Sequence, residues 1–147
     1  VVRSPHGRRY QAGTSSGNPL ALAAGLACLE LITSEDFYTR LTHTTAELLK
    51  GLEERAAAAG VPFTTNQAGS MFGCFFSAES PIRRFSQVMA CDTENFQAFF
   101  HAMLDRGIYL APSAFEAGFM SAVHGPDEIA ATLNAAEQAF AAVPNRH

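Results

Sequence analysis

Residues 20–32 read "LALAAGLACLELI", and Glu30 is the single charge among them. Asn18 is a strong N-cap ahead of this run, and Pro19 suits the first helical position, where no amide donor is needed. The stretch predicts a helix over 19–33. Its apolar residues are not confined to one stripe. A helix that is apolar nearly all round must be buried on more than one side. Whatever this chain folds into, that helix has to lie inside it or against something larger.

The rest of the chain alternates helical and strand patterns. Thr33 or Ser34 is placed to cap a second helix, with Asp36 completing a capping box after Thr33. Phe37, Leu41, Thr45, Leu48 and Leu52 recur at helical spacing and give it one buried face, with Lys50, Glu53, Glu54 and Arg55 turned outward. Gly60 and Pro62 end it. "VPFTTN" and "SMFGCFFS" read as an antiparallel pair around 67–69, and Gly73 marks a bulge or a close backbone neighbour. Residues 77–86 read as a loop and "VMAC" as a short strand. Asp92 or Thr93 starts a third helix, buried through Phe96, Phe99, Phe100, Met103 and Leu104 and stopped by Gly107. "IYLAP" and "FMSAVH" read as strands flanking the loop "SAFEAG". Gly125-Pro126 opens a last helix with Ile129, Leu133, Ala136 and Phe140 on one face, and 143–147 fray. The sum is an α+β layer, a small, mostly antiparallel sheet with helices on one face.

With 48% hydrophobic residues, 16% charged and a net charge of −4, the 147-residue chain suits one globular core and no nucleic-acid partner, since phosphate backbones select basic faces. No apolar run reaches the roughly 20 residues of a membrane helix, and the sequence shows no secretory leader pattern. Cys28, Cys74 and Cys91 are odd in number and widely spaced, which reads as reduced packing residues in a cytoplasmic protein. The histidines make no metal-ligand spacing, so no metal site is expected. The opening "VVRSPHGRRY" lacks an initiator Met, and Lys50 is the only lysine. Both suggest a piece of a longer protein.

Two stretches can carry chemistry. In "YQAGTSSGNP", Gly13 and Gly17 permit a nest of converging amides, Thr14, Ser15 and Ser16 add hydroxyls, and the helix at Pro19 adds a partly positive end. This suits a phosphate, although it equally caps a buried helix. It is neither a P-loop nor a dinucleotide fingerprint. In "LAPSAFEAGFMS", Glu116 is the one charge in a long apolar context, so it must be paired, hydrogen-bonded or facing a cavity. That makes it a candidate ligand for a cationic substrate group, or else a loop carboxylate in water. Arg83-Arg84 reads as solvated surface.

"YQAGTSSGNPLALAAG", "GSMFGCFF", "VMACD" and "FFHAMLDRGIYLAPSAFEAGFMSAVH" together resemble the glutamate-1-semialdehyde 2,1-aminomutase family, within the class III, fold type I aminotransferases that use pyridoxal phosphate. The match runs from about 10 to 140. "GTxSGNP" is shared across class III, whereas "VMACD" with "YLAPSAFEAGFMS" is more specific.

The resemblance implies the C-terminal portion of a fold type I subunit, with 1–33 ending the large cofactor-binding domain and 34–147 forming the small C-terminal domain. It implies pyridoxal 5'-phosphate, with its pyridoxamine form in the cycle, and a cytoplasmic homodimer acting on a small molecule. The reaction would be an intramolecular amino shift giving 5-aminolevulinate for tetrapyrrole synthesis. Gly13 and Thr14 match the pair that reaches the cofactor phosphate of the neighbouring subunit. Glu116 matches a substrate-orienting glutamate, and Tyr10 a tyrosine close to the site. Ser15 departs from the family's larger apolar residue there. The family's Schiff-base lysine lies upstream, and Lys50 matches no active-site motif, so the chain alone should be inactive. Another class III aminotransferase and a free-standing α+β binding module are the alternatives. The enzyme reading predicts an exposed apolar patch that includes the 19–33 helix.

Overall fold

The computed structural model describes residues 3, 4, 7, 8, 13 and 17–144. The chain divides into two compact units, Val1–Phe37 and Tyr38–His147.

In the first unit, β1 (Arg3–Ser4) and β2 (Gly7–Arg8) form a short antiparallel ladder. Helix α1 (Pro19–Ile32) follows the cap that the sequence predicts. Asn18 Oδ1 accepts the amide hydrogens of Leu20 at 2.9 Å and Ala21 at 3.3 Å. At the other end, the Thr33 hydroxyl donates to the Leu29 carbonyl at 2.7 Å. The expected burial is not found. No residue of α1 is buried, and Leu20, Leu22, Leu26, Leu29 and Leu31 are each at least 56% exposed. Cys28 is exposed with them and is not a packing residue. Periodicity tells which faces need cover but not what supplies it.

Thr33 and Ser34 do not start the next helix. Their hydroxyls bond back to carbonyls of α1, Ser34 to Leu31 at 2.8 Å, and Asp36 takes a left-handed φ of 63°. Helix α2 (Phe37–Ala58) begins only after it. It buries Thr45, Leu48, Leu49, Leu52 and Ala56. Thr45 is satisfied there by donating to the Leu41 carbonyl at 2.7 Å. Glu53 and Arg55 are half-buried rather than outward. Glu53 accepts from the amide and hydroxyl of Thr65, and Arg55 folds back on the Gly51 carbonyl.

A Schellman turn ends α2. Gly60 has φ 69°, its amide donates to Ala57, and the Val61 amide donates to Ala56 at 2.9 Å. This closure draws Val61 into the core and delays the first sheet strand, β3, to Thr64–Ala68. A two-residue turn at Gly69-Ser70, with Gly69 at φ 62°, leads into β4 (Met71–Phe75), antiparallel and in unbroken register. Gly73 is therefore not a bulge. A Cβ there would come within 2.7 Å of the Phe75 ring, so the close neighbour is a side chain and not the expected backbone.

"VMAC" is not a strand. Helix α3 (Phe85–Met89) takes up Val88 and Met89, because the Gln87 side chain accepts the amides of Arg83 and Arg84 at 2.9 and 3.0 Å. Helix α4 (Thr93–Leu104) is capped by Asp92 through the Asn95 amide at 2.9 Å, and stops where Gly107 reaches φ 81°. Leu104 is 42% exposed, since it sits one position off the stripe of Phe96, Phe99, Phe100 and Met103. "IYLAP" forms no strand, and "FMSAVH" gives only the end of β5 (Gly118–Phe119), which pairs with the start of β4. Pro112 offers no ladder donor, and the chain turns again at Ser121. Helix α5 (Pro126–Ala142) closes the unit, and Val143 beyond it is buried rather than frayed.

The three-stranded sheet has order β3-β4-β5. Its Phe72 face joins Leu48 of α2, Phe99 of α4 and Phe140 of α5 in one core, the expected α+β layer. That core is built on phenylalanine. Phe99 stacks on Phe140 at 4.4 Å between centroids, and Phe63 meets Phe140 edge-on at 5.0 Å.

Candidate functional site

Residues 105–125 link α4 to α5 with little regular structure, and they carry the chemistry of the second unit. A tight turn opens at Ser113. Its Oγ accepts the Phe115 amide at 3.2 Å, and its carbonyl accepts the Glu116 amide at 3.1 Å. The turn leaves Glu116 exposed beside a cavity of about 500 Å³. Leu48, Phe72, Phe99 and Met120 give the cavity apolar walls. Glu116 thus both lines the cavity and meets solvent, so its carboxylate does not have to be paired within the chain.

The other polar groups on the cavity come from the exit of the segment. The Ser121 amide donates to His124 Nδ1 at 3.2 Å, and the Gly125 amide donates to Glu128 Oε2 at 2.8 Å. Backbone donors at Gly125 and Glu128 itself hold the Glu128 carboxyl below its usual range, helped by the charge of His124 when protonated. His124, Glu128 and Glu116 all line the same cavity. Neither His124 nor Glu128 is among the residues expected from the sequence. For Glu128 a signal exists in "HGPDE", where Pro126 begins a helix and Glu128 stands at the third position of a capping box.

Cys74 also borders the cavity. Burial, with a smaller contribution from the Glu53 charge, pushes its thiol up to about 12, so it is inert as a nucleophile at neutral pH. Among the described residues, no cluster of His, Cys, Asp and Glu is placed to hold a metal ion. No described helix is long and apolar enough to cross a membrane.

The candidate phosphate loop belongs to the first unit. Gly13 is described and exposed, whereas Tyr10 and Thr14 lie outside the described residues. Gly17 takes φ 79°, as a converging turn needs. The helix end is less open to an anion than the sequence suggests. Pro19 has no amide hydrogen, Asn18 Oδ1 takes those of Leu20 and Ala21, and the Asn18 carbonyl takes that of Leu22 at 3.0 Å.

A protein-family model for class-III aminotransferases matches residues 2–137. The chain belongs to the class-III aminotransferase family. Its fold recurs in an omega-transaminase from Sphaerobacter thermophilus at 24% identity and a TM-score of 0.72, covering 93% of this chain and 31% of that one. It recurs in the FumI protein of Sphingopyxis sp. MTA144, solved with PLP, at 25% identity and a TM-score of 0.73, covering 92% and 30%. A glutamate-1-semialdehyde aminomutase from Pseudomonas aeruginosa PAO1, solved with PMP, matches at 21% identity and a TM-score of 0.73, covering 95% and 32%. The chain thus spans about a third of the length of these solved relatives. The fold is that of part of a fold type I subunit, and class-III aminotransferases are pyridoxal-phosphate enzymes.

This class-III segment does not by itself fit the whole cofactor. A cofactor lysine must be desolvated and aimed at the reacting carbon. The side chain of Lys50, the only lysine, is 79% exposed on α2 and pairs with Glu54 at 3.7 Å. What the described residues offer is a loop glycine and the wall of a cavity.

Proposed function

We propose that this chain forms the substrate-facing wall and the phosphate-contact loop of a class-III aminotransferase, and that the whole enzyme is a glutamate-1-semialdehyde 2,1-aminomutase. The observation that carries the reading is Glu116 of "YLAPSAFEAGFMS", which the Ser113 turn sets on the lining of a cavity with apolar walls from Leu48, Phe72, Phe99 and Met120. A carboxylate at the edge of apolar walls attracts an ammonium group, and a substrate seated against those walls would displace the water that competes for it. Glu116 would hold the substrate amine, and Phe72, Phe99 and Met120 would exclude water around it. The Gly13 amide and the Thr14 hydroxyl would reach the phosphate of a cofactor on the neighbouring subunit of a homodimer, with Tyr10 close by. Residues 1–33 would complete the large domain, and 34–147 would form the small one. Pyridoxal phosphate, when bound, supplies the electron sink for the amino shift. The product would be 5-aminolevulinate, made in the cytoplasm for tetrapyrrole synthesis.

The full-length enzyme tests this directly. Conversion of glutamate-1-semialdehyde to 5-aminolevulinate is expected without an external amino donor. A preparation that instead transaminates an ω-amine, and makes no aminolevulinate, would sink the reading. That second reading has its own support, since the omega-transaminase shares the fold as fully as the aminomutase does.

A further inference from the structure

His124 stands at the hinge where the Glu116-bearing segment enters α5. Three hydrogen bonds shape that hinge. The His124 amide donates to the Ser121 carbonyl at 3.1 Å, the Val123 amide to Ser121 Oγ at 3.4 Å, and the Ser121 amide to His124 Nδ1 at 3.2 Å. The last of these requires an unprotonated Nδ1, because an imidazolium has donors at both nitrogens and no acceptor. One residue earlier, the Met120 amide donates to the Ser70 carbonyl at 2.9 Å, so the Ser121 turn begins where the segment leaves the sheet.

The titratable groups that share the cavity with His124 are Glu128 from α5, Glu116 and Tyr109 from the 105–125 segment, and Cys74 from β4. Leu48 of α2 and Phe96 and Phe99 of α4 contribute only apolar surface. Glu128 is the carboxylate electrostatically coupled to His124. Protonation would remove the Ser121 bond and add attraction to the Glu128 carboxylate.

We propose that His124 is a positioning residue whose neutral imidazole locks the Ser121–His124 turn at the rim of the cavity, and whose protonation breaks the bond to the Ser121 amide and opens that turn. Where this bears on substrate, it rests on the role given to Glu116 above. The lock itself does not.

The test is amide exchange and NMR titration of the full chain, which reads the lock without any activity. Ser121 protection, corrected for intrinsic rate, should fall about tenfold or more from pH 7.5 to pH 5, in step with the His124 ring resonance. His124→Asn keeps a non-titrating acceptor and should hold Ser121 protected across that range. His124→Phe should leave it unprotected throughout. Ser121 protection that stays flat while the His124 ring titrates would overturn the proposal, as would an Asn variant that follows the wild-type pH profile. If neither variant folds, the shared midpoint of Ser121 and His124 in the wild type decides alone. An aminolevulinate assay that fails while the lock titrates as expected counts against the proposed function only.

Discussion

The carboxylate of Glu53 accepts two hydrogen bonds from Thr65, one from its amide at 2.9 Å and one from its hydroxyl at 2.7 Å. Through this pair, α2 holds β3, which begins only one residue earlier. Thr65→Val removes the hydroxyl bond and should cost about 1.5 kcal/mol, while Glu53→Ala strands both donors and should cost about 2–3 kcal/mol. Urea midpoints measure both. Equal, negligible losses would show that the pair is solvated rather than structural.

Thiol reactivity should sort the three cysteines. Cys28 is exposed, Cys91 is shifted upward by burial and by Glu79, and Cys74 lies near 12. At pH 8 only about 1 in 10,000 Cys74 side chains would be thiolate. Ellman's reagent should therefore label Cys28 first, Cys91 next and Cys74 only as the chain unfolds. Glu53→Gln removes a charge that raises the Cys74 thiol and should speed its labelling at alkaline pH. Three equal rates under native conditions would contradict this burial pattern.

Glu128 predicts a pH dependence of known sign. Its carboxyl is held below 4.5 by the Gly125 and Glu128 amides, so the stability it contributes is present above that value and is lost as pH falls through the folded value. Glu128→Gln should be less stable than wild type at pH 7, and the gap should narrow below pH 4.5. A gap that stays constant from pH 7 to 3 would show that the charge contributes nothing.

In a full-length enzyme, Glu116→Gln should lower turnover with little change in melting temperature, because the side chain is exposed and the turn is built on Ser113. Thr14→Val should weaken cofactor binding by about 1.5–3 kcal/mol, the range for a bond to a charged group. Unchanged cofactor affinity would remove Thr14 from the phosphate site. A large fall in melting temperature with normal turnover would make Glu116 structural.

Gly118 lies against Phe72, and a Cβ there would collide with the ring. Gly118→Ala should cost about 1–3 kcal/mol, the usual penalty of overpacking, and part of it should return in the double variant with Phe72→Leu. Additive losses in the double-mutant cycle would place the strain elsewhere.

Much of this fold is legible in the sequence where punctuation is strong. Asn18-Pro19, Gly60, Gly107 and Gly125-Pro126 each mark a helix end to within three residues. Local propensity misleads where a side chain captures backbone donors. Gln87 turns Val88 and Met89 into a helix, and the Schellman closure at Gly60 removes Val61 from the sheet. Asp36 hides its break because a left-handed aspartate looks like any capping-box residue in sequence. Of the candidate site, Glu116 is legible as a lone charge among apolar neighbours. His124 is not, because its partner is the amide of Ser121 and a backbone group leaves no trace in composition.

The phenylalanine core has an optical consequence. The chain has no tryptophan, and the two described tyrosines, Tyr38 and Tyr109, are 61% and 73% exposed. Intrinsic emission is therefore nearly blind to the packing of α2, α4 and α5. It is not blind to the segment that carries Glu116. The Tyr109 ring sits 6.2 Å from that of Phe100, close enough to register a change in the local environment. Movement of the cavity rim should thus be visible as tyrosine fluorescence while the core beneath it stays dark.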